Sequence, residues 1–168
     1  GAVSLIGCGV TTGLGAVFNT AKVQPGSHVV VLGAGGVGLN VVQGARLAGA
    51  SSIIAVDLKD EKLEYALQFG ATHTINSTKE DINSRIRDLT NGEMADYAFE
   101  AMGSVDTIVQ AFHSTRPAGV TVIIGGTPPG AKLTIDPDFL HPERVLKGCV
   151  YGSCHPRSDM PKFVDLYM

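Results

Sequence analysis

Four apolar residues at 29–32 ("VVVL") run straight into a glycine-rich hexamer at 33–38 ("GAGGVG"). A run that short suits a strand rather than a helix, and with no polar face it needs cover on both sides. Beyond the hexamer, Val37, Val41, Ala45 and Ala48 recur at helical spacing until Gly49 interrupts them. A doubly buried strand that feeds a helix through bare glycines restricts the chain to folds in which helices flank a parallel sheet.

The rest of the chain keeps that rhythm. Residues 52–57 ("SIIAVD") read as a second buried strand. Asp60 is placed to cap the next helix, with Leu63, Ala66 and Leu67 inward and Gly70 at its end. "HTIN" (73–76) is a third strand, and Thr78 with Asp81 forms a capping-box pattern before a helix carrying Ile82, Ile86 and Leu89. "ADYAFEA" (95–101) is a fourth; Ser104 then caps a helix with Val105, Ile108, Val109 and Phe112 inward, and Pro117 lies beyond it. "VTVIIG" (120–125) and "VLKGCVYG" (145–152) are the fifth and sixth, while "KLTID" (132–136) reads as a short extra strand. The expected fold is α/β: a doubly wound six-stranded parallel sheet (Rossmann) in the order 3-2-1-4-5-6.

Composition excludes several functions. The 168 residues bury one sizeable core. With 17% charged residues and a net charge of −3, nothing predicts a nucleic-acid surface. No apolar run reaches the roughly 18 residues of a membrane span, and no basic-then-apolar leader opens the chain. Three cysteines, Cys8, Cys149 and Cys154, make no disulfide framework and suit a reducing, cytoplasmic setting. The chain opens inside a glycine-rich apolar segment and stops at "FVDLYM" without a helix-ending signal, so it reads as a piece of a longer polypeptide.

Gly33, Gly35 and Gly38 give the hexamer the G-x-G-x-x-G pattern. Gly33 permits a tight turn, Gly35 leaves room for a pyrophosphate against the backbone, and Gly38 lets helix and strand approach closely. The phosphates would meet the free N–H groups and positive end of the helix. Asp57 follows Gly38 by 19 residues, at the tip of the second strand. A carboxylate there accepts hydrogen bonds from adenosine-ribose hydroxyls and repels a 2′-phosphate, which favours NAD over NADP. Its other reading is a strand-end aspartate that starts a turn. Lys62 either reaches the same ribose or is an ordinary exposed lysine. Ile124, Gly125 and Gly126, at the fifth strand's tip, line a nicotinamide pocket or simply end a strand.

The segment "LIGCGVTTGLGAV", the glycine loop, "IIAVDLKDEKLEYALQFGATH", "FEAMGS" and the "GGTPPG" tip together resemble the zinc-dependent medium-chain alcohol dehydrogenases over essentially the whole chain. The likeness covers their coenzyme-binding domain and the segment leading into it. It implies that residues 1–25 lead in from a catalytic domain and that 26–168 form the NAD-binding domain. It implies that Cys8 is one ligand of the catalytic zinc and that Thr12 lies near the nicotinamide. It carries the cofactor contacts to Gly33, Ala34, Gly35, Gly36, Val37, Gly38, Asp57, Lys62, Ile124, Gly125 and Gly126, and only loosely to Tyr151. A thiol near a helix N-terminus has a lowered pKa, and thiolate is the form zinc binds. One thiolate does not hold a catalytic zinc, so none is expected on this chain alone.

The resemblance implies hydride transfer between NAD and a zinc-held alcohol or aldehyde in the full enzyme, and no turnover by this piece. It also implies a homodimer through the edge at 132–140, since an unpaired strand edge invites pairing. Two alternatives stay open: the cofactor domain of a zinc-free quinone or enoyl reductase, and an adenosylmethionine-binding methyltransferase domain.

Overall fold

The computed structural model describes residues 6–167, so Leu5, the first five residues of the expected lead-in and Met168 lie outside the described residues. Six strands pair in parallel: β1 (His28–Leu32), β2 (Ser52–Asp57), β3 (His73–Asn76), β4 (Ala95–Glu100), β5 (Thr115–Ile123) and β6 (Val145–Gly148). Their order is β3-β2-β1-β4-β5-β6, as the sequence predicts. Ahead of the sheet, a helical run carries one α turn, α1 (Thr11–Gly15), between π-type turns at Ile6–Val10 and Ala16–Ala21. The crossovers are α2 (Gly36–Leu47), α3 (Asp60–Phe69), α4 (Ile82–Leu89) and α5 (Val105–His113). Between β5 and β6 there is only the four-residue helix α6 (Pro137–Leu140), and α7 (Pro156–Tyr167) follows the sheet.

Strand side chains alternate between faces, and the core divides accordingly. Val29, Val31, Ile53, Ala55 and Phe99 meet Val41 and Ala45 of α2, Leu63 and Ala66 of α3, and Ala16 and Val17 of the helical run. On the other face, Val30, Leu32, Ile54, Val56 and Ile75 meet Ile86 of α4 and Ala111 of α5. Both faces of β1 and β2 are therefore covered, which is why their sequences carry no polar stripe. Each fully buried valine or isoleucine contributes about 1.5–3 kcal/mol through lost water contact.

Several local expectations are corrected. "KLTID" forms no strand: Lys132, Leu133 and Thr134 are exposed and the chain stays irregular until Asp136 caps α6, which has proline in its first turn. Lys59, not Asp60, is the N-cap residue of α3; the Asp60 carboxylate instead accepts from Asn76 Nδ2 and Lys79 Nζ, both at 2.6 Å. Those bonds hold the Asp60 carboxyl below the usual carboxylate range, the Lys79 bond most of all. Before α4, Asp81 caps by accepting from Ser84 N, while Thr78 Oγ1 turns back to Asn76 Oδ1. β5 begins at Thr115 rather than Val120, through an irregularity in its pairing with β4 that accommodates Pro117 and puts Ala118 at φ +59°. β6 stops at Gly148, and a tight turn at Tyr151–Ser153 replaces its expected end. Ser104 caps α5 by accepting from Thr107 N, and Gly70 ends α3 at φ +114°, both as expected.

The helical run and the chain's last third hold each other. A Cβ on Gly15 would lie 2.7 Å from the Gly152 Cα, so the two glycines allow backbone-to-backbone contact. Asn19 Nδ2 donates to the Gly152 carbonyl and to Asp159 Oδ2, and Lys147 Nζ donates to the Thr20 carbonyl. Among the described residues no helix is long and apolar enough to cross a membrane.

Candidate functional site

Strand order reverses between β1 and β4, and at such a point the carboxyl-end loops diverge to leave a crevice. The glycine loop forms one wall. Gly33 sits at φ +100°, its N–H donates to the Val56 carbonyl at 2.8 Å, and a Cβ there would press on the Met102 side chain at 2.8 Å. A Cβ on Gly38 would run into the Gly33 carbonyl, so this glycine keeps α2 close to β1. Gly35 and Gly36 differ: among the described residues nothing lies within 4 Å of a Cβ at either. Among the described residues no side chain caps α2, so its first N–H groups and positive end face open space beside Gly35, Gly36 and the half-buried Val37.

Asp57 is 4% exposed at the tip of β2. Its Oδ2 accepts from Ala34 N at 2.9 Å, while Oδ1 accepts from Leu58 N at 2.8 Å and Lys59 N at 3.2 Å. The aspartate thus starts a turn and also ties down the glycine loop. Lys62 Nζ stands 3.7 Å from Oδ2, an ion pair longer than a hydrogen bond, on a side chain 44% exposed. A carboxylate oxygen has two acceptor positions, so Oδ2 keeps one beyond the Ala34 bond.

The opposite wall is the β4 and β5 tips. Ile124 and Gly125 are half-buried, Gly126 is exposed, and Ile124 N and Gly125 N donate to the Glu100 carbonyl. The Glu100 side chain is fully buried beneath this wall, its Oε1 accepting from Met102 N, Gly103 N and Thr107 Oγ1. Sequence reasoning passed over Glu100. Its signal was a carboxylate at the end of an otherwise apolar strand, since such a group is buried only where donors surround it.

Cys8 is exposed, and the segment that carries it lies against the start of α2: a Cβ on Gly9 would be 3.8 Å from the Gly36 carbonyl. Thr12 is half-buried one residue into α1. Tyr151 Oη donates to the Gly7 carbonyl at 2.6 Å and links this segment to the turn after β6. Cys149 is buried and accepts from Thr20 Oγ1 at 3.2 Å. Burial, then the neighbouring Asp159, pushes the Cys154 thiol above its ordinary range. Among the described residues no three histidine, cysteine, aspartate or glutamate side chains are grouped to hold a metal. A groove of about 780 Å³ runs from Gly9 and Gly36 along the outer face of α2 to Phe163. Leucines 14, 39 and 47 line it, and such walls suit apolar packing rather than a diphosphate.

The sequence profile of a family described as "Zinc-binding dehydrogenase" matches residues 36–168. The chain is 47% identical over 173 residues to the S-(hydroxymethyl)glutathione dehydrogenase of Paracoccus denitrificans, covering 99% of this chain but 46% of that relative. A Burkholderia ambifaria structure described as an alcohol dehydrogenase zinc-binding domain protein superposes with a TM-score of 0.95 at 37% identity, over 99% of this chain and 45% of that one. The benzyl alcohol dehydrogenase of Acinetobacter calcoaceticus gives 0.93 at 37% identity, over 96% and 45%. The chain thus spans about half the length of the relatives it matches.

Proposed function

The chain belongs to the zinc-binding dehydrogenase family, and from that premise we propose that it is the coenzyme-binding portion, residues 26–168, of an NAD-dependent alcohol dehydrogenase, with residues 1–25 leading in from a catalytic domain. The observation that carries this reading is the uncapped, unobstructed start of α2 beside the buried Asp57. Gly35, Gly36 and Val37 would take the pyrophosphate on backbone N–H groups, with Gly33, Ala34 and Gly38 shaping the turn. Asp57 would accept from the adenosine ribose, with Lys62 alongside, and its charge would repel a 2′-phosphate. Ile124, Gly125, Gly126 and Thr12 would border the nicotinamide. Bound NAD supplies the ring that exchanges hydride with an alcohol or aldehyde.

The residues here do not by themselves fit a catalytic zinc, which needs three protein ligands and an open position. Cys8 is the one ligand this chain would contribute, and the chain alone turns over no alcohol. The relatives favour neither a zinc-free reductase nor a methyltransferase. The exposed edge of β6 and the segment at 132–140, with Leu133 and Leu140 uncovered, support a homodimer through that margin. Three free cysteines fit a reducing, cytoplasmic location.

Titration with NADH, followed by fluorescence, tests the reading. The chain should bind NADH at least about tenfold more tightly than NADPH, and Asp57→Asn should narrow that ratio. Failure to bind either coenzyme at millimolar concentration would overturn it.

A further inference from the structure

Glu100 stands where three loops of the crevice meet, with no exposed surface. Its carbonyl accepts from Ile124 N at 2.8 Å and Gly125 N at 3.0 Å. Its Oε1 accepts from Met102 N at 2.8 Å, Gly103 N at 2.7 Å and Thr107 Oγ1 at 2.8 Å. Oε2 is buried with no hydrogen-bond partner among the described residues, and a Cβ on Gly125 would lie 2.8 Å from it. One oxygen holds three donors while the other holds none, an arrangement that serves the surrounding turn better than the carboxylate itself. Rule-breaking of this kind concentrates at functional sites.

The turn that Glu100 secures reaches both walls of the crevice. Ala101 N donates to the Leu32 carbonyl at 2.9 Å, and the Met102 side chain fills the space beside Gly33. Gly103 packs against Gly126, where a Cβ on Gly103 would be 2.5 Å from the Gly126 carbonyl oxygen. A shift of the carboxylate therefore moves the β4 tip and the β5 tip together, while the glycine loop meets only the flexible end of the Met102 side chain. In a doubly wound sheet these tips serve the second mononucleotide, while the tip of β2 serves the adenosine.

We infer that Glu100 is a positioning residue for the nicotinamide half of the dinucleotide: its carboxylate sets the spacing between the β4 and β5 tips on which that half rests. This rests on the coenzyme-binding reading above. It assigns Glu100 no contact with the coenzyme.

The test is a pair of titrations on the whole 168-residue chain, with NADH and with AMP, which occupies only the adenosine half. Glu100→Gln removes the charge that strengthens three hydrogen bonds to Oε1, and should weaken NADH about tenfold while leaving AMP within about twofold. Thr107→Val removes one donor to Oε1, should weaken NADH about threefold and spare AMP, and stands in if Glu100→Gln does not fold. Equal weakening of AMP and NADH would mean a general scaffold role and overturn the inference, as would NADH affinity unchanged in both variants. A wild-type chain that binds neither ligand overturns the coenzyme-binding reading itself, and the inference with it.

Discussion

β2 and β6 belong to one sheet but live in different surroundings. All six residues of β2 are buried, whereas three of the four in β6 are exposed and Leu146 is half-buried. β2 lies between β1 and β3 with helices on both faces; among the described residues β6 has β5 on one side and no strand on the other. Val145 is 40% exposed, and Val150, just past the strand, is 87% exposed. The difference teaches that this chain keeps its stability in the interior strands and leaves apolar side chains uncovered at the margin.

The strongest way to break that comparison is Ile54→Ala. Ile54 is fully buried among Val30, Val56 and Ile75, so truncation should cost about 2–5 kcal/mol in denaturant unfolding. A loss no larger than that of a surface change would mean the core is not where the burial puts it. The glycine loop offers a sharper, smaller contrast. Gly38→Ala, driven into the Gly33 carbonyl, should cost about 1–3 kcal/mol. Gly36→Ala, facing open space, should stay within about 0.5 kcal/mol of wild type and register instead as weaker NADH binding.

At the margin, Val145→Lys should leave unfolding within about 0.5 kcal/mol of wild type and turn a dimer into a monomer by light scattering. A wild type already monomeric at high concentration removes the dimer proposal. The smallest effect concerns Asp159 in the first turn of α7, whose Oδ2 accepts from His155 N and Asn19 Nδ2. The His155 N–H is the main cause holding its carboxyl below the usual range, helped by Ser158, Asn19 and Lys162 and opposed by burial. Its pKa is lower folded than unfolded, so its contribution is complete above the unfolded value of about 4. That contribution fades as pH falls through the folded value. Asp159→Asn should flatten the part of the acid unfolding profile that lies below about pH 4.

The same comparison explains what could be read from sequence. β2 was legible to the residue because a strand covered on both faces is written as a nearly unbroken apolar run, and β3, at the sheet's edge, was legible from its place between two helices. β5 and the expected strand after it were harder. β5 starts among Arg116, Pro117 and Ala118, residues that signal a loop and are tolerated by an irregular pairing. "KLTID" alternates like a strand yet has no neighbour to pair with among the described residues. At the site, the glycines and Asp57 were visible as a local pattern. The bond from Ala34 N to Asp57 joins residues 23 apart, and Glu100 gathers donors from the loop after β5, from α5 and from its own turn. Those arrangements exist only once the sheet has formed.

The contact between the helical run and the last third of the chain has a consequence for biosynthesis. Asn19 meets Gly152 and Asp159 across 133 and 140 residues of sequence. As the polypeptide leaves the ribosome, the helical run bearing Asn19 lacks those partners until another 133 to 140 residues have been added. Contacts so distant along the chain form slowly and leave intermediates in which this margin of the core is still incomplete. Holding chaperones would find their opening there.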